Sequence, residues 1–134
     1  MIRLAVCDDN ALCLNGIKDM IEEWSRHNGI RIQIRCFNSG DALIESIASA
    51  QFDIIFLDII MPLLNGMDTA REIRKIDKAV KIVFLTSSPE FALESYAVKA
   101  SGYLLKPARS EQLSGVLTDC TLALKEQQKT LLLK

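Results

Sequence analysis

Four short apolar runs, each stopped by a polar residue, constrain this chain more than any other feature. They are LAVC before Asp8-Asp9, IIFL before Asp58, IVFL before Thr86, and GYLL before Lys106. Continuous stretches rich in Ile, Val, Leu and Phe read as strands covered on both faces, the pattern of a parallel sheet under two layers of helix. In such a sheet every strand ends on the same edge, so residues about a hundred positions apart converge there.

The segments between the runs supply the helices. Residues 10–28 carry Leu14, Ile17, Ile21 and Trp24 at helical spacing, and a helix starts from Ser39 as N-cap and reaches about residue 50. Further helices are predicted over 66–77, over 90–98, and from 109, the last with Leu113, Val116, Leu117, Cys120 and Leu124 on one stripe. Residues 31–37 (RIQIRCF) alternate polar and apolar, which puts the second strand at an edge and leaves the others more central. The predicted fold is therefore α/β: a single doubly wound, flavodoxin-like, five-stranded parallel sheet of order 2-1-3-4-5 with helices on both faces. Winding reverses between the first and third strands, and Asp8, Asp9 and Asp58 end those strands. Ligands bind at such switch points.

Composition narrows the partners. The net charge is −1 and no basic stripe is visible, so DNA contact is expected only through a separate effector segment outside these residues. The amino terminus has no basic-apolar-small signal organisation, and no apolar run approaches the roughly 20 residues of a membrane helix. No membrane association is expected, and the cytoplasm is the expected location. Cys7, Cys13, Cys36 and Cys120 form no C-x-x-C pair and sit in apolar segments, so they read as buried, reduced thiols.

Three carboxylates, a hydroxyl and an ammonium on one sheet edge point to a divalent cation and an anion. Two like charges about 4 Å apart repel by about 4 kcal/mol at an effective dielectric near 20. Asp8, Asp9 and Asp58 together therefore need a cation, a proton or a lysine. Mg²⁺ suits a few carboxylate oxygens, a backbone carbonyl and retained waters, which Asp8 or Asp9, Asp58 and a carbonyl just beyond Asp58 can supply; Mn²⁺ is the alternative ion. Asp58 could then attack phosphorus, with Lys106 and the Thr86 hydroxyl each taking a phosphoryl oxygen.

The segments CDDN (7–10), FDIIFLDIIMPLLNG (52–66), VFLTSS (83–88) and YLLKP (103–107) resemble the receiver domain of bacterial two-component response regulators. The resemblance spans about residues 2–125, and SPEFALESYAVKASGYLLKP is most similar to receivers joined to LytTR-type DNA-binding domains. It implies that residues 1–125 form the receiver and that 126–134 end the last helix and begin a linker to an effector domain. It implies Asp58 as phosphoacceptor from a histidine kinase, and Mg²⁺ on Asp8, Asp9, Asp58 and the Ile60 backbone carbonyl. Lys106 would contact the phosphoryl group, Thr86 and Tyr103 would form a switch pair, and Lys106-Pro107 would be a cis peptide. The resemblance further implies homodimerisation through the fourth helix, fifth strand and fifth helix, a transcriptional output, and no enzymatic turnover beyond self-phosphorylation and slow dephosphorylation. Ile60 is apolar where some relatives carry polar side chains that help place the hydrolytic water. Ile60 and Ser88 are expected to assist hydrolysis poorly, so the aspartyl phosphate persists comparatively long.

Blander readings compete at each position. Asp8-Asp9 alone would be a turn or helix cap, Tyr103 a sheet aromatic, Lys106 a solvated lysine, and Ser87 or Ser88 a cap beside Thr86. Asp58 resists this reading, because an unpaired charge between IIFL and Ile-Ile-Met is costly. His27, the only histidine, reads as solvated. Two rival functions remain. A Mg²⁺-dependent phosphohydrolase of the haloacid-dehalogenase type would also use an aspartate nucleophile, but it needs an acid where Ile60 stands. A flavodoxin-like cofactor binder needs a Gly/Ser/Thr-rich phosphate loop where Asp8-Asp9-Asn10 stands.

Overall fold

The structure is a computed structural model that describes residues 1–132, with side chains through residue 127. Five strands, β1 (Ile2–Cys7), β2 (Ile32–Phe37), β3 (Ile54–Leu57), β4 (Lys81–Thr86) and β5 (Gly102–Leu105), form one sheet of order β2-β1-β3-β4-β5. Every neighbouring pair is parallel. The helices are α1 (Ala11–Asn28), α2 (Gly40–Ile47), α3 (Gly66–Ile76), α4 (Ala92–Ser95) and α5 (Ser110–Leu132).

Strand alternation divides the core into two layers. Ala5, Cys7, Ile55, Leu57, Ile82 and Phe84 point one way and pack with Leu43 of α2 and Met67, Ala70 and Ile73 of α3. Leu4, Val6, Ile54, Phe56, Val83 and Leu85 point the other way, onto Ile17, Ile21 and Trp24 of α1 and Leu113, Leu117 and Cys120 of α5. The central strands are buried on both faces, as their unbroken apolar runs require, whereas β2 alternates half-buried and exposed positions at the sheet edge. Each fully buried Leu, Ile, Val or Phe contributes about 1.5–3 kcal/mol, so these two layers are the main stabilising term.

Several boundaries differ from expectation. The second helix stops at Ile47, and the segment expected to be one helix over 90–98 is a single α-turn followed by a 3₁₀ turn, Tyr96–Val98. Neither Ser87 nor Ser88 caps it: the cap position is Phe91, which makes no side-chain bond. The expectation of four buried thiols is corrected at Cys36, which is exposed, and at Cys13, which is half-buried; only Cys7 and Cys120 are in the core. Cys36 lies on the edge strand, on the face of Ile32 and Ile34, and the strand's half-buried positions leave it open to solvent. The last helix continues to Leu132; the expected start of a linker after it lies outside the described residues.

Candidate functional site

Three residues of the carboxyl edge are held by main-chain bonds that continue the sheet past its strands. The Asp8 N–H donates to the Phe37 carbonyl at 3.0 Å, the Asp58 N–H to the Cys7 carbonyl at 3.0 Å, and the Lys106 N–H to the Thr86 carbonyl at 2.9 Å. Thr86 is itself the last residue of β4, paired with Leu105. These backbone positions are therefore as rigid as the sheet.

The side chains converge. Lys106 Nζ donates to Asp8 Oδ2 at 2.7 Å and to Asp58 Oδ2 at 3.1 Å. Asp8, Asp58 and Thr86 are buried, at 1%, 6% and 0% exposure, while Asp9 is exposed at the rim. One carboxylate oxygen from each of Asp8, Asp9 and Asp58 lies within 4.8 Å of the others. Asp8 Oδ1 accepts the Asn10 N–H at 2.9 Å, which fixes the plane of that carboxylate. Asp58 Oδ1 is buried and has no hydrogen-bond partner.

The electrostatics follow from that crowding. Burial raises the Asp58 pKa, the Lys106 ammonium opposes the rise, and the Asp8 charge adds to it. The nearby Thr86 hydroxyl weakly opposes it, although no hydrogen bond to Oδ1 is formed in good geometry, and the net shift is upward. Burial alone would lower the Lys106 pKa, but its bonds to Asp8 and Asp58 outweigh that and hold it above its usual value. Burial pushes the Cys7 thiol, beneath the site, up to about 12, with Asp8, Asp58 and Asp9 adding to the effect. It is inert as a nucleophile at neutral pH. Three carboxylates and one ammonium leave formal charge −2, and a buried oxygen lacks a partner. That donor set fits one hard divalent cation.

Thr86 and Tyr103 meet indirectly, through Ser88. The Ser88 N–H donates to Thr86 Oγ1 at 3.3 Å, and the Tyr103 hydroxyl donates to the Ser88 carbonyl. The half-buried Tyr103 ring packs beside Phe84, with centroids 6.1 Å apart. Ile60 is not gathered into the pocket as a side chain; it is 53% exposed on the loop after β3. The Lys106-Pro107 peptide is cis.

Two residues support the site without having been singled out for that role. Asn10 is the N-cap of α1, its side chain accepting the Leu12 and Cys13 N–H groups, so the acids before it are not occupied as caps. Its place between Asp8-Asp9 and a helical stripe is an N-cap signal legible in the sequence. Gly66, at the start of α3, is needed for space: a Cβ there would lie 2.1 Å from the Asp58 carbonyl oxygen and 2.7 Å from Ile59 Cα. Its N–H donates to the Ile59 carbonyl at 2.8 Å, so the start of α3 is wedged against the Asp58 backbone.

Comparison with known proteins agrees with this geometry. A family model described as "Response regulator receiver domain" matches residues 4–118. The chain is 32% identical over 116 residues to the positive alginate biosynthesis regulatory protein of Pseudomonas aeruginosa, covering 87% of this chain and 46% of that one. It is 28% identical over 127 residues to the transcriptional regulatory protein YpdB of Escherichia coli K12, covering 95% of this chain and 50% of that one. The chain thus spans about half the length of these curated relatives. Among solved structures it is similar to the response regulator protein TrrA of Thermotoga maritima in complex with Mg²⁺-BeF. The TM-score is 0.72 at 29% identity, covering 90% of this chain and 99% of that one.

Proposed function

The chain belongs to the response regulator receiver domain family, and on that premise we propose that it is a phosphoacceptor switch whose acceptor is Asp58. The observation that carries this reading is Asp58 Oδ1: a buried carboxylate oxygen without a partner, on a rigid sheet edge, beside an ammonium and two further acids. In the proposed step Asp58 Oδ1 forms a bond to phosphorus while the phosphorus–nitrogen bond of a histidine kinase's phosphohistidine breaks, and the imidazole leaves with that electron pair. Asp8, Asp9, Asp58 and the Ile60 carbonyl would hold Mg²⁺, or Mn²⁺ in its place; the bound ion supplies charge neutralisation for the carboxylates and the incoming phosphoryl oxygens. Lys106 would shift from Asp58 Oδ2 to a phosphoryl oxygen, and Thr86 would give up the Ser88 N–H to bind another. That exchange would loosen the Ser88 link to Tyr103 and hand the change to α4, β5 and α5.

The finer parts of the reading have separate support. Names of relatives twice as long support a regulatory, transcriptional output, with residues 1–125 as receiver and a DNA-binding effector, of LytTR type by the motif resemblance, beyond 126–134. Dimerisation on phosphorylation is part of the same reading, as is a cytoplasmic site of action. No described helix is long and apolar enough to cross a membrane. The haloacid-dehalogenase reading finds no support, since the position it requires to be acidic is Ile60.

Incubation with Mg²⁺ and acetyl phosphate, followed by intact mass, tests the proposal. One phosphoryl group is gained by the wild type and none by Asp58→Asn; equal gain in both would overturn it. Following the same samples in time, Ile60→Asn loses the group faster than wild type, and an unchanged or slower rate would refute the expected persistence.

A further inference from the structure

Arg74, in the last turn of α3, is spent entirely on main-chain carbonyls. Its Nε donates to Val98 at 2.7 Å, its Nη1 to Val80 at 2.7 Å and Asp77 at 3.4 Å, and its Nη2 to Lys99 at 3.2 Å. It takes part in no ion pair among the described residues. One planar fork thus ties together the end of α3, the turn into β4, and the 3₁₀ turn that leads into β5.

The two ends of the α4 segment are held very differently. At its carboxyl end Val98 is buried, Lys99 N–H donates to Tyr96 at 3.0 Å, Ala100 N–H to Ser95 at 3.1 Å and Ser101 N–H to Ile82 at 2.7 Å. At its amino end the half-buried Phe91 packs against the core and its carbonyl accepts the Ser95 N–H at 3.0 Å. Its side chain provides no cap, however, and the Ala92 N–H reaches the Pro89 carbonyl only at 3.4 Å. Leu93 and Tyr96 project into solvent. The side-chain tie from this end to α3 is the exposed Arg71–Glu94 pair at 3.1 Å, of a kind that holds little. The end with fewer main-chain ties is the one that follows Ser88, where Thr86 and Tyr103 meet.

We propose that Arg74 is a positioning residue that fixes Val98-Lys99 as the pivot about which the α4 segment swings. The inference rests on the switch reading for its trigger, but the pivot is a property of the resting protein. A displacement at Ser88 moves the uncapped end of α4, while the clamped end keeps β5, with Tyr103 and Lys106, in register. The guanidinium is needed as a fork: a lysine keeps the charge but cannot span carbonyls on three segments.

Hydrogen exchange read by mass spectrometry tests this on the whole chain. In resting wild type, amides of residues 91–97 exchange at least about tenfold faster than those of 99–101. Arg74→Lys and Arg74→Gln each erase that contrast by raising exchange at 99–101, and Arg71→Gln leaves it intact. After acetyl phosphate and Mg²⁺, wild-type exchange changes over 88–97 and not over 99–101. Absence of the resting contrast, its survival in both Arg74 variants, or an equal change on both sides of Val98 would overturn the pivot. Should the Arg74 variants not fold, the wild-type arms decide alone. Intact mass on the same samples separates failure of phosphorylation, which counts against the switch reading, from failure of the pivot, which the resting contrast decides.

Discussion

At the scale of single residues, the acid that makes the site useful also strains the fold. Burial raises the Asp58 pKa in the folded protein. A carboxyl raised on folding destabilises when ionised, so the penalty is largest where Asp58 is ionised in both the folded and the unfolded chain. It fades as pH falls through the raised folded value toward the unfolded one near about 4. Asp58→Asn should therefore raise Tm by about 2–5 °C at pH 7.5, and the gain should vanish near pH 3.5. Circular dichroism melts of both proteins at the two pH values check this, and a gain that grows on acidification would contradict the sign. Asp58 was legible because a charge closing an apolar strand needs a reason. The Asn10 bond to Asp8 was not, because a backbone N–H donates the bond and sequence patterns report side chains.

At the scale of elements, what could be read in advance depended on periodicity. Unbroken runs gave β1, β3 and β4, alternation placed β2 at the edge, and stripes gave α1 and α5, whose predicted apolar positions all face the inner layer. The segment after Ser88 carries no such stripe. Only Ser95 and Val98 are buried there, so local turns decide its shape and the expected single helix breaks into two short pieces. Glycine roles were also opaque, since a sequence does not show what a missing side chain makes room for. At Gly16 in α1 and Gly115 in α5 an added Cβ would meet nothing within 4 Å, whereas at Gly66, where α3 begins, it would meet the Asp58 carbonyl oxygen at 2.1 Å. Gly115→Ala should stabilise by about 0.5–1 kcal/mol through helix propensity. Gly66→Ala should instead destabilise by more than about 1 kcal/mol and weaken Mg²⁺ binding, because the displaced backbone is the one that carries Asp58 and Ile60. Chemical denaturation gives the first two numbers and isothermal titration with Mg²⁺ the third. Unchanged Mg²⁺ affinity in a folded Gly66→Ala protein would show that the wedge is structural only.

At the scale of the whole molecule, the surface is uneven in a way that one folded domain does not require. Leu93 and Tyr96 of the α4 segment are 84% and 80% exposed, and Leu105 at the end of β5 and Leu122 on α5 are 48% and 56% exposed. Exposed apolar side chains also occur elsewhere, at Leu12 and Leu63 among others, but these four fall on the three elements through which the proposed switch would pair with a second copy. An isologous dimer buries such a face against its own copy, and the exposed α4 end lies in the part of the molecule that the Ser88 link would disturb. Tyr96→Asp and Leu93→Asp should accordingly keep the protein monomeric after acetyl phosphate treatment, while wild type shifts toward dimer in sedimentation velocity. Neither substitution touches the acid pocket, so the phosphoryl gain by intact mass should match wild type. Dimer formation undiminished in both variants would move the interface elsewhere. Loss of the phosphoryl gain along with the dimer would mean that these substitutions reach the pocket, and would contradict the separation of face and pocket.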